Sequence, residues 1–148
     1  MTLLSITNRL EHGYVRIERP WQPGDVVTLE VPMPIERLSA HPDIQADQGQ
    51  IALQRGPLIY CLEQCDHVQP LHRLVLPSTA ALTGQFEPDL LGGVVVLRGT
   101  AASLDTSGWE DALYRPHPPA AHPTPITAIP YYAWDNREPG PMQVWIQT

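Results

Sequence analysis

The chain has 148 residues, enough for one domain or one and a fraction, with 9 basic against 16 acidic residues and a formal net charge of −7. All nine basic residues are arginine, so no lysine-rich stripe exists to neutralise phosphates, and nucleic acid and anionic membrane are excluded as expected partners. No apolar run approaches the roughly 18 residues of a membrane span, MTLLSITNRL lacks a basic leader with a long apolar core, and Cys61 and Cys65 are too few for a disulfide framework. The expected setting is therefore a reducing one, the cytoplasm.

Seventeen prolines and ten glycines break the chain, and no interval between them sustains an apolar period of 3.6. Period two remains. In YVRIERPW, Val15 and Ile17 oppose Arg16 and Glu18, and in DVVTLEVPM, Val27, Leu29, Val31 and Met33 share one parity. Pro23-Gly24-Asp25 between them is turn chemistry, so residues 14–33 are expected to form a hairpin. Further strands are expected at 35–41, 50–63, 72–76, 93–98, 126–134 and 142–147. Within 50–63, Ile51 and Leu53 are odd but Leu58, Tyr60 and Leu62 are even. A one-residue bulge at Arg55-Gly56-Pro57 would explain the switch of parity, with 58–62 covered on both faces and Cys61 a small core hydrophobe. RPHPPAAHPTP, residues 115–125, is expected to be a stiff connector or disordered loop, neither strand nor helix. Short strands at close spacing predict an all-β fold, an antiparallel β-sandwich of jelly-roll type with part of a second, incomplete sandwich.

Three sets of side chains bear on chemistry. Cys61, Cys65, His67 and His72 place four soft ligands within twelve residues, a zinc-compatible set whose spacing matches no standard finger. An extended chain would hold the two sulfurs about 13 Å apart, so the bland reading is core plus loop, and no metal is expected in this chain. Cys61 as a nucleophile would need an electropositive, partly exposed setting, and its apolar neighbours imply the opposite. The carboxylates Glu63, Asp66, Glu110, Asp111, Asp135 and Glu138 could supply a glycosidase pair, but all lie near turn signals where acids are ordinarily solvated. Trp109, Tyr132 and Trp134 are the candidate sugar-binding residues, since flat rings stack on sugars; Tyr114 lies upstream. Alternation puts Tyr131 on the face opposite Tyr132 and Trp134, so at least one ring is expected in the core. No catalytic residue is assigned.

The segments GYVRIERPWQPGDVVTLEVPMPIERLSAHP, GQIALQRGPLIYCLE and ITAIPYYAWDNREPGPMQVWI together resemble the C-terminal part of bacterial glycoside hydrolases of family 127, the β-L-arabinofuranosidase group. The resemblance implies an N-terminal (α/α)6 barrel bearing a cysteine nucleophile, a glutamate acid/base and a zinc held by cysteines and a glutamate, followed by two β-sandwiches. It places residues 1–38 at the end of the first sandwich, 39–140 in the second, and 141–148 in a strand returning to the first. None of the family's catalytic or zinc positions carries over to these residues. The implied function is a non-catalytic accessory region whose partner is the missing barrel, with a homodimer as a further possibility. A carbohydrate-binding module for arabinose-containing plant glycans is the alternative.

Overall fold

The computed structural model describes residues 10–109 and 112–148, which divide into two units, Met1–Val31 and Pro32–Thr148. In the first unit β1 (Leu10–Glu11) pairs antiparallel with β2 (Tyr14–Val15). The two turn residues, His12 and Gly13, both have positive φ (52° and 84°), as the tightest hairpins require. The Pro23-Gly24 turn also forms: Asp25 N–H donates to Gln22 O at 3.0 Å, and Gly24 takes φ +94°. The strands expected to flank that turn do not form. Residues 16–34 carry no strand, and Val26, Val27, Leu29 and Val31 are exposed. An alternating strand is stabilised by a ladder and a covered face, and neither is supplied to this stretch by the described residues.

The second unit is all-β. Its strands are β3 (Ile35–Leu38), β4 (Gln50–Arg55), β5 (Leu58–Glu63), β6 (Leu74–Val75), β7 (Leu82–Glu87), β8 (Val94–Leu104), β9 (Ala121–Pro130), β10 (Met142–Gln143) and β11 (Ile146–Gln147). Pairing runs β4–β5–β9–β8–β6–β11 and returns to β4, so the ladder closes on itself; β3, β7 and β10 add to β4, β8 and β5. Every contact is antiparallel except β11 with β6. All six strands of the circuit feed one cluster, including Leu53, Tyr60, Leu62, Leu74, Leu97, Ile126 and Ile146, which is therefore the interior of the ring. Their alternate neighbours Cys61, Val94, Val96 and Ile129 point the other way into a second apolar cluster, flanked by Leu90, Leu91, Met142 and Val144. Residues 60–62 are thus buried on both faces, as the apolar run implies, while Leu58 and Ile59 are half-buried.

Two local expectations are corrected. The expected bulge at Arg55-Gly56-Pro57 is a two-residue hairpin, with Arg55 opposite Leu58 and Leu53 opposite Tyr60. Such a hairpin pairs odd residues with even ones, which produces the same parity switch. Gly56 supplies the positive φ (+55°) of the first turn position, and a side chain there would run into Met33. Next, β9 begins at Ala121 and contains Pro123 and Pro125, inside the segment expected to be a non-strand connector. The N–H of Thr127 points away from β8, since it donates to His67 Nε2 at 3.2 Å. Residues two and four positions earlier share that direction, so both prolines present their missing N–H groups to an edge that β5 does not reach until Ala128. Met142–Gln143 pairs with β5, and Ile146–Gln147 lies between β4 and β6. The second unit starts at Pro32, and β3 pairs with β4 over four residues.

Candidate functional site

Strand β5 ends at Glu63, and the chain then makes a 3-10 turn over Gln64–Asp66. Strand β9 ends at Pro130 and makes a second 3-10 turn over Tyr131–Ala133. Because β5 and β9 are neighbours, the two turns lie side by side, and the segment after the second delivers Arg137 to the end of the first. Arg137 Nε donates to Glu63 Oε2 at 3.0 Å, Nη1 to Asp66 Oδ1 at 2.7 Å and Nη2 to Asp66 Oδ2 at 2.6 Å; Nη2 also contacts Glu63 Oε2. The other oxygen of Glu63 accepts the Asp135 N–H at 3.2 Å. Glu63 is only 5% exposed, and the guanidinium fork and a backbone donor replace its lost water. The paired carboxylates, Asp66 first, hold the Arg137 guanidinium firmly in its charged form.

Beside this network lie the two thiols. Burial pushes Cys61 up to about 12, and the negative charge of Glu63 adds to the effect. Cys65 is raised too, by desolvation and then by Asp66. A thiol held protonated is a poor nucleophile at neutral pH. Glu63, Cys65 and Asp66 bring one potential ligand atom each within 4.8 Å of one another. The guanidinium already serves as the cation for both carboxylates.

The soft-ligand set suggested by spacing is distributed differently. Cys61 faces the outer apolar cluster, and His72 is exposed in a 3-10 turn over Leu71–Arg73. His67 is buried with both ring nitrogens engaged: Nε2 accepts from Thr127 N–H, so Nδ1 carries the proton and donates to Glu63 O at 2.7 Å. Of the six carboxylates, Glu63 and Asp66 are brought together but are engaged with Arg137; Asp135 and Glu138 are exposed. Glu110 and Asp111 lie outside the described residues. Arg137, 74 positions from Glu63, is the residue sequence reasoning missed, because no local pattern announces a contact of that range.

The candidate aromatics separate into two places. Trp109 lies in the loop that follows β8, beneath the Arg115 guanidinium at 5.5 Å, beside an open hollow of ≈ 480 Å³ that also takes in Asp105, Ser107 and His117. Tyr132 and Trp134 follow the other end of β9, whose ten residues span about 30 Å. No single platform joins them. A 3-10 turn sets residues i and i+3 on one side, so Tyr131 stacks on Trp134 with centroids 5.9 Å apart and planes 18° apart. The strand alternation expected through Trp134 ends at Pro130, and the buried member of the turn is Ala133 rather than a ring.

Residues 35–147 match the model of the glycoside hydrolase family 127 C-terminal domain. A non-reducing end β-L-arabinofuranosidase of Bifidobacterium longum is 36% identical over 143 residues, covering 92% of this chain and 21% of that protein. The crystal structure of a family 127 β-L-arabinofuranosidase from Geobacillus stearothermophilus T6 superposes with a TM-score of 0.89 at 51% identity, over 97% of this chain and 23% of that one. A further family 127 β-arabinofuranosidase gives 0.80 at 32% identity, over 93% of this chain and 21% of its own. The chain thus spans about a fifth of the length of the relatives it matches.

Proposed function

The chain belongs to glycoside hydrolase family 127, and from that membership we propose that it is the non-catalytic C-terminal part of a longer β-L-arabinofuranosidase-like enzyme. The observation that carries the reading is the pairing of a match to the family's C-terminal domain with coverage of only 21–23% of the two relatives named as β-L-arabinofuranosidases. Site chemistry supports it. The carboxylates brought together are engaged with a guanidinium, and the neighbouring thiols are held protonated.

Its partner is then the remaining portion of the enzyme, which would supply the cleavage chemistry. The alternating stretch Val27, Leu29 and Val31, unpaired and 56%, 77% and 61% exposed, suits a strand awaiting a sheet from that portion. A second copy of the chain would be the alternative occupant of the same stretch. A chimera tests the accessory role: this chain replaces the matching region of the Geobacillus relative. The expected product is a folded enzyme that still hydrolyses an aryl β-L-arabinofuranoside. A chimera that folds cooperatively but does not turn over overturns the reading.

A further inference from the structure

We propose that the turn carrying Tyr131, Tyr132 and Trp134 is a binding surface for a neutral sugar ring, separate from any site where a glycosidic bond is cut. Its rings are 46%, 66% and 38% exposed, although the turn that carries them is firmly held. Trp134 N–H donates to Tyr131 O at 3.1 Å, Asn136 Nδ2 donates to Ala133 O and Trp134 O, and buried Glu63 grips both Asp135 N–H and Arg137. A turn fixed in this way loses little conformational freedom when a ligand arrives, which is the condition under which a small, weakly held ligand can bind at all.

The chemistry around the rings selects the ligand. Aromatic faces receive the C–H face of a sugar. Asp135 and Glu138, exposed and without an ion pair among the described residues, are acceptors suited to hydroxyl donors. An anionic sugar would meet these carboxylates and a chain of net charge −7. Trp109 takes no part, being at the far end of β9 under Arg115.

The sugar class extends the family reading, but the surface stands or falls separately, because its test involves no hydrolysis. Saturation-transfer NMR and titration of the 148-residue chain with β-linked L-arabinofuranobiose, and in parallel with xylobiose, are the experiment. The expected result is saturable binding of at least one disaccharide with Kd of about 1 mM, strongest transfer to ring C–H protons, and weakening of about 3–10-fold in Tyr132→Ala and in Trp134→Ala. Tyr132, the most exposed ring, can be removed without opening the core, so that variant keeps the test decisive if Trp134→Ala melts early. Binding of xylobiose alone supports the surface and leaves the accessory role untouched. Absence of transfer from both sugars at ten times that concentration, or equal binding by wild type and Tyr132→Ala, overturns the proposal.

Discussion

Replacing Arg137 with alanine is expected to lower the unfolding free energy by about 3–5 kcal/mol, the loss typical of removing one partner of a buried ion pair. The size follows from what is left behind. Glu63, 5% exposed, would keep a single backbone donor, Asp135 N–H, and Asp66 would lose both of its guanidinium contacts. Two carboxylates within reach of one cation would then face each other without it. Lysine at 137 should recover only part of the loss, because an ammonium cannot reproduce the fork that reaches both acids at once. Glu63→Leu combined with Arg137→Met should be far less damaging than Arg137→Ala alone, since it removes the stranded charge together with its partner. Urea unfolding of the three variants, with the slope unchanged, provides the comparison.

Ile146→Ala is expected to cost about 2–5 kcal/mol, although only Gln147 and Thr148 follow it in this sequence. Its side chain is 1% exposed and belongs to the interior cluster. Its strand, two residues long, joins β4 to β6: Ile146 is opposite Ile51, Gln147 is opposite both Gln50 and Val75, and Leu76 N–H donates to Gln147 O at 2.7 Å. Loosening this strand opens the ring at its narrowest junction. The exposed neighbour Gln147→Ala should cost no more than about 0.5 kcal/mol, which separates interior packing from general terminal fraying. Thermal and urea melts of both variants measure the difference.

Period-two alternation located much of the ladder because strand side chains must alternate, and it was reliable wherever one face is buried. It could not distinguish a bulge from a tight hairpin at Gly56-Pro57, since both exchange parity. Strand β7, LTGQFE, gives a weak signal because its two large apolar residues, Leu82 and Phe86, are separated by Thr83, Gly84 and Gln85. Proline misled at 121–125, where only the edge position of β9 makes Pro123 and Pro125 harmless, and edge status is a property of the assembled sheet. The site was legible only in its parts. Glu63 and Asp66 stood out as carboxylates near a turn, but the guanidinium that neutralises them comes from a segment brought close by β5–β9 pairing. Tyr132 and Trp134 were identified as exposed candidates; their stacking relation to Tyr131 depends on a 3-10 turn that strand alternation cannot anticipate.

On the proposed accessory role, the remainder of the longer enzyme cleaves the glycosidic bond. That role is tested most directly by assaying the purified, folded chain on an aryl β-L-arabinofuranoside, with and without added zinc, beside its Glu63→Gln, Cys65→Ser and Asp66→Asn variants. The expected result is release at the uncatalysed rate for all four proteins. Turnover by the wild-type chain that falls in any of the three variants would contradict it.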